Sequence, residues 1–197
     1  TVVGNTAMES ATTGDDNVAV GHLALGSITT TSDNVAVGSG AGQLTTGQLN
    51  TYVGHQAGKA ATTGENSTFI GAYCGSAYTV VGHHNTGLGY MCMHRLTSGE
   101  RNTVIGDLAA QYLNTGDENV IIGRQVANAL NSGGENIIIG AGIGSVADTI
   151  TDGNRNVMIA RNADFGASDR SDSLVIAAGN ALVTDNGDGT SWIGAHD

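Results

Sequence analysis

The nine residues Thr115-Gly-Asp-Glu-Asn-Val-Ile-Ile-Gly123 recur along this chain with few changes. TGDDNVAVG occupies residues 13–21, and SGGENIIIG occupies residues 132–140. An active site needs one copy of its residues, whereas a stack needs many. In register on the residue that closes each apolar run, the chain gives Gly4, Gly21, Gly38, Gly54, Gly71, Gly89, Gly106, Gly123, Gly140, Ala160, Ala177 and Gly194. Neighbours in that series lie 16 to 20 residues apart, most of them 17. Residues 1–197 therefore read as a single repeat array of about twelve rungs, irregular at 72–96 and at 141–197. Fixed periods of this size mark solenoids and fibres, in which each unit buries its face only against the next.

Composition agrees. The 197 residues include 31 Gly but no Pro, two Phe and one Trp. So few large side chains cannot fill a deep core, and a thin core shared between layers suits them better. Seven Lys and Arg face 18 Asp and Glu, a formal net charge of −11, and six of the seven cations lie from Arg95 onward. Such a balance argues against nucleic acid and anionic membrane as partners, since both reward cationic surfaces. No apolar run approaches the roughly 20 residues of a bilayer span. The chain has no initiating Met and no signal peptide, which suggests a processed chain or a fragment. Two Cys do not make a disulfide framework.

Each position of the unit has an expected task. The residue before the closing glycine is always aliphatic (Val3, Val20, Ile105, Ile122 and their equivalents), which reads as a buried strand face. Three residues after the glycine stands a small residue, as in Ala24, Ala41, Ala57, Cys74, Cys92 and Ala109, expected to face a crowded interior. In DLAAQYLNTG and RQVANALNSG the apolar residues recur at i, i+1, i+4, i+5. That spacing predicts short helical turns between the strands, with a second short strand as the alternative. Gly116 and Gly133 would then end those turns in the left-handed region. The Asn that opens most strands (Asn17, Asn34, Asn50, Asn66, Asn102, Asn119, Asn136, Asn156) reads as a stacked ladder whose amides satisfy one another. The fold class is mainly β: a repeat-built β-solenoid or an intertwined homotrimeric fibre.

Chemistry-bearing residues mostly belong to the repeat. Asp15, Asp16, Asp33, Glu65, Glu100, Asp117, Glu118 and Glu135 fall at the corner before the strand. Stacked at rung spacing, they must splay into water or be neutralised, and solvated turn acids suit them better than a cation ladder. DNGDGT at 185–190 reads as a glycine-rich hairpin turn rather than a Ca²⁺ loop. Cys74 and Cys92 share a position in successive rungs; two reduced packing thiols are favoured over a disulfide. His22 and His55 share a register two rungs apart, too far for a common metal. No acid stands in a distinctive neighbourhood and no nucleophile or phosphate-loop motif is present, so we expect no enzyme, no metal and no cofactor.

The unit T-G-x-x-N-x-x-I-G-x-x-A resembles repeats of bacteriophage tail fibres and tailspikes, the kind preceding an endosialidase-type intramolecular chaperone. The copies TGDDNVAVGHLALGSIT, TTGQLNTYVGHQAGKAAT, SGERNTVIGDLAAQYLNT and TGDENVIIGRQVANALNS carry it. NVAVG is also similar to head repeats of trimeric autotransporter adhesins, whose units are shorter. The resemblance covers residues 1 to about 160 and loosens beyond. It implies a homotrimer that serves as the structural and attachment segment of a fibre. The location implied is a virion tail fibre or a cell surface. The partner implied is a cell-surface glycan or outer-surface receptor.

The corner motif vanishes between 72 and 96, where TVVGHHNTGLGYMCMHRL stands instead. Tyr73, Tyr78, His83, His84, Tyr90 and His94 gather there, and such side chains offer an apolar face with a hydrogen-bonding edge. They form the expected binding patch. A bacterial trimeric adhesin, a glycan-degrading tailspike and an ice-binding solenoid are the alternative readings. Thr pairs such as Thr45-Thr46 and Thr62-Thr63 favour the last, but they fade after the fifth rung.

Overall fold

The computed structural model describes residues 1–142, 151–161 and 171–176. Eleven strands form one parallel sheet in chain order: β1 Val2–Val3, β2 Val18–Val20, β3 Val35–Val37, β4 Thr51–Val53, β5 Thr68–Ile70, β6 Thr86–Leu88, β7 Thr103–Ile105, β8 Val120–Ile122, β9 Ile137–Ala141, β10 Val157–Arg161 and β11 Leu174–Ile176. Each pairs with the equivalent residues of the next, Val104 with Ile121 and Ile121 with Ile138 for example. One strand per period, always parallel and in register, is a β-solenoid. The twelfth expected rung, closed by Gly194, and the 185–190 turn lie outside the described residues.

The core lies inside the coil, where the inward strand residues meet buried turn residues such as Leu25, Ile28, Leu96, Leu113 and Leu130. From β2 onward the second residue of each strand points inward: Ala19, Ala36, Tyr52, Phe69, Val104, Ile121, Ile138, Met158 and Val175 are all essentially inaccessible. Opposite them stand the small residues expected to face inward, Ala24, Ala41, Ala57, Cys74, Cys92 and Ala109, all fully buried. The aliphatic column before the closing glycine behaves differently from expectation. It points outward, and in a single chain Leu88 is 45% and Ile176 52% exposed. Side chains alternate across a strand, so only one of three strand residues can face so thin an interior. The outward aliphatics are half-buried in several rungs, as at Val20, Val53, Ile70, Ile105 and Ile122, and none reaches the interior.

The connecting segments are turns; there is no helix among the described residues. Backbone handedness alternates instead. After Gly21, residues Leu23 (φ 58°) and Leu25 (φ 50°) are left-handed while their neighbours are not. Leu108 and Ala110 repeat the pattern, as do Gln125 and Ala127. A helix needs every N–H to reach back along its own chain. Here alternate N–H groups leave the rung: Leu23 donates to the Asn5 carbonyl (3.1 Å) and Leu25 to that of Ala41 (3.0 Å). The N–H groups between them close single turns, Ala24 to Gly21 and Gly26 to Leu23. The apolar spacing that suggested helical turns reflects this alternation.

Glycine enters for two reasons. The closing glycines sit at φ between 128° and 154°, a region other residues avoid, and a Cβ at Gly106 would meet the Gly123 carbonyl oxygen at 2.0 Å. Where Ala160 stands instead, no positive φ is adopted, and β10 runs on to five residues beside β9. Gly116 and Gly133 correct the sequence reading: neither lies at positive φ. They are glycines because a Cβ at either would stand 2.2 Å from a carbonyl oxygen of the following rung.

The asparagine ladder is present, and it is buried. The Asn102 carboxamide oxygen accepts the Asn119 N–H (3.0 Å), and its Nδ2 donates to the Gly116 carbonyl (2.8 Å). Asn119 repeats both bonds towards Asn136 and Gly133. One side chain thereby ties the strand entry of the next rung to its glycine corner, which explains why T-G-x-x-N travels as a unit. Asn66 does not belong to the ladder; it is exposed at φ 55°. Ser67 takes that place and accepts the Asn85 N–H at 3.2 Å, so Asn85 joins the series.

Core volume is balanced between rungs. The Tyr52 ring lies where a Cβ on Gly58 would come within 2.3 Å and one on Gly42 within 2.6 Å. Gly75 stands at the same turn position under Phe69, where a Cβ would lie 2.7 Å from the ring. Leu25, Met93 and Ala110 hold that position in rungs without an aromatic strand residue. Tyr52 stacks on Phe69 (ring centroids 5.9 Å), and its hydroxyl shares a hydrogen bond with Thr45 Oγ1, which itself donates to the Ala61 carbonyl. Gly87 stands at the centre of β6, where Cys74, Cys92 and Met93 converge.

Candidate functional site

The irregular window keeps strand register. β6 pairs residue for residue with β5 and β7, Thr86 with Thr68 and with Thr103. The 18-residue spacing from Gly71 to Gly89 is absorbed between Gly75 and Gly82, where Tyr78 projects 48% exposed. The stack is thus unbroken, and the departure lies in what its surface displays.

The six candidate residues fall into separate groups. Tyr73 and Tyr90 follow the strand exits of successive rungs and meet edge to face, ring centroids 6.2 Å apart. His55, one rung earlier, packs against Tyr73 in the same manner at 5.1 Å. His94 adjoins the Tyr73 backbone: its Nδ1 is 3.2 Å from the Tyr73 carbonyl oxygen and 3.1 Å from Ser76 Oγ. Tyr73, Tyr90 and His94 therefore form one ridge, joined by His55, which sequence reasoning had set aside. Its signal was positional: His55 and Tyr90 each immediately follow a closing glycine. Tyr73 has φ 58°, yet the equivalent Leu23, Gln56, Leu108 and Gln125 share that conformation, so it marks the repeat rather than local strain.

His83 and His84 are elsewhere, at the corner that opens β6, their rings 6.3 Å apart. His83 has a structural task. Its Nδ1 accepts the Glu65 N–H at 3.2 Å, which requires the neutral tautomer protonated on Nε2. Other rungs fill the same role with Ser32, Asp117, Asn154 and Ser171, each accepting a backbone N–H from the rung before. An acceptor-bearing side chain is what this corner position demands. His84 is exposed and occupies the left-handed column with Asp33, Glu118 and Glu135.

The corner acids are not uniformly stacked like charges. Arg101 reaches Glu100 (3.5 Å) and Glu118 (3.7 Å), and Arg155 pairs with Asp172 through two bonds of 2.6 and 2.8 Å. That hydrogen-bonded pairing lowers the Asp172 carboxyl below its ordinary pKa and raises the Arg155 guanidinium. Asp117, Glu118, Ser132, Gly134, Glu135 and Asn154 line a shallow open depression on this edge. Among the described residues no three His, Cys, Asp or Glu side chains converge as metal ligands.

The chemistry on offer is that of a surface: a short aromatic ridge with hydrogen-bonding edges, an acidic corner and an apolar outer strip. From β2 to β11 the first and third residues of every strand are Val, Ile, Leu or Thr. No family model, curated protein or solved structure matches this chain.

Proposed function

We propose that this chain is a structural and attachment segment of a homotrimeric fibre, non-enzymatic, that engages a glycan or polar receptor on a host or neighbouring cell. The observation carrying this reading is the outer strip. At about 4.8 Å per strand it runs roughly 45 Å and is about 10 Å wide, comparable to the largest apolar patch a typical monomer exposes and often a functional one. Every chain has the same strip at the same pitch, so a second and third copy are its natural complement. Three strips around one axis each face two neighbours, and the assembly closes without a free apolar edge. The acidic corners, by contrast, favour solvent.

The aromatic ridge of His55, Tyr73 and Tyr90 is the receptor-facing element of this proposal, with His94 adjoining the Tyr73 backbone. Tyr78 contributes a separate exposed ring. Their rings combine apolar faces with polar edges, the chemistry that sugars and polar receptors require. The corner carboxylates do structural work, as Asp117 does for the Glu100 N–H, which weighs against a glycan-degrading spike. A virion tail fibre and a bacterial trimeric surface adhesin share this physical design.

The double variant Tyr73→Ala, Tyr90→Ala tests the patch. It should retain the parent's assembly state and lose at least ten-fold in adsorption to target cells. Unchanged adsorption by a correctly assembled variant would place the receptor surface elsewhere. Soluble sugar fragments released from host polysaccharide would favour the enzymatic alternative.

A further inference from the structure

Cys74 and Cys92 lie in adjacent rungs with their Sγ atoms 2.9 Å apart, and both thiols are free and fully buried. Three features bring them together. Both occupy the inward position that is Ala in the rungs before and after, for example Ala57 and Ala109. Their rungs are joined in the sheet by β5 and β6, and neighbouring strands stand about 4.8 Å apart, inside the 4.4–6.8 Å range of Cα separations that disulfides span. Gly87 supplies the room: a Cβ there would lie 2.6 Å from Cys74 Sγ and 3.1 Å from Cys92 Sγ. All other described strands carry a side chain at that central position, so the one hollow in the core column is where the two sulfurs meet.

We infer that Cys74 and Cys92 form an intrachain disulfide that staples one rung to the next. The oxidant is a dithiol-exchanging disulfide, such as oxidised glutathione or a disulfide-carrier protein. One cysteine thiolate attacks the donor disulfide, forming a mixed disulfide and releasing one thiol. The second cysteine then attacks the protein sulfur and releases the other thiol. Two protein thiols lose two protons and two electrons, and one donor disulfide becomes two thiols. The exchange belongs to the folding chain, before the rungs close, because neither sulfur is accessible afterwards. Burial also pushes the Cys74 thiol well above its ordinary pKa, which removes the reactive thiolate from the folded state.

The staple has a local use. Tyr73 directly precedes Cys74, and Tyr90 stands two residues before Cys92. A covalent link between these rungs fixes the spacing of the half-buried Tyr73 ring and the exposed Tyr90 ring at the place where the repeat takes in its extra residue. The inference stands on the thiol geometry alone and does not require the attachment reading.

The test is to refold the reduced, denatured full chain in a buffer of oxidised and reduced glutathione. The folded fraction is isolated, denatured and alkylated, and its non-reduced peptides are mapped by mass spectrometry. The expected result is a Cys74–Cys92 linked peptide, no alkylated cysteine, and two alkylated cysteines after reduction. The Cys92→Ala variant, which restores the alanine of other rungs, should fold and yield no intrachain link. Two alkylated cysteines in the folded, non-reduced parent would overturn the proposal. So would glutathione left on either sulfur, or a link between two chains.

Discussion

At the residue scale, the repeat is explained by what each side chain does for the following rung. Asn102 is fully buried, and its removal would strand the Asn119 N–H and the Gly116 carbonyl. Each orphaned buried group costs about 1–3 kcal/mol, so Asn102→Ala should lower stability by roughly 2–6 kcal/mol. Asn102→Ser should cost less, because Ser67 and Ser173 fill the same ladder position naturally. Denaturant unfolding of the two variants checks this ordering, and equal losses would contradict the ladder account. Gly116 separates two explanations of one glycine. Were it a left-handed stop, Asn would substitute well and the cost would lie in β-branching. With a Cβ placed 2.2 Å from the Gly133 carbonyl oxygen, even Gly116→Ala must push the rungs apart. Gly116→Ala should therefore melt far below the parent, close to Gly116→Val, while Ala at exposed positions changes little. The ladder's existence was legible in the sequence because Asn recurs at one register. Its membership was not, since Asn66 and Ser67 are adjacent and only the backbone shows which faces inward.

At the element scale, three non-glycine residues in a typical rung hold left-handed backbone, such as Leu108, Ala110 and Glu118. Each costs about 1–2 kcal/mol in isolation. Hydrogen bonds to the adjacent rungs hold them there: Glu118 donates to the Glu100 carbonyl and Glu135 to that of Asp117, both at 2.9 Å. The corner position should thus prefer residues that tolerate this region. Glu135 is exposed at φ 58°, so Glu135→Asn should leave the melting temperature level or slightly raised. Glu135→Val should lower stability by about 1–2 kcal/mol, although it removes only an exposed acid. A tolerated valine would show that the corner is not left-handed in solution. This alternation hid the turns from sequence reasoning. Apolar spacing of i, i+1, i+4, i+5 fits a helix and equally fits a chain that reverses hand at every second residue. Period, strand positions and the small inward column were legible because stacking imposes them on every rung. The exchange of bulk between Tyr52 and Gly58 was not, because it links residues by shape rather than by pattern.

At the scale of the whole molecule, the aliphatic column before the closing glycine reads in the sequence as a buried strand face, whereas the structure turns it outward. The proposed trimer would supply the burial that the single chain lacks. One rung buries its inward strand residue and a few turn residues, Ile121 with Val126, Ala127 and Leu130 for example, against roughly 1–2 kcal/mol of backbone entropy lost for each ordered residue. Joining the outer strips would add an aliphatic pair per rung. The ridge was only partly legible: the window 72–96 was conspicuous, but strand β6 divides it into a ridge at one end and a corner at the other. Charge on the strip should break the assembly while leaving surface chemistry alone, since a buried lysine without a partner is costly. Ile105→Lys with Ile122→Lys places two such charges on adjacent strands β7 and β8. The measurement that tests the account most directly is the mass of the intact chain in solution by light scattering at micromolar concentration. The account predicts three times the 19.8 kDa chain mass for the parent, lost in the double-lysine variant. A parent that is folded and monomeric under the same conditions would contradict it.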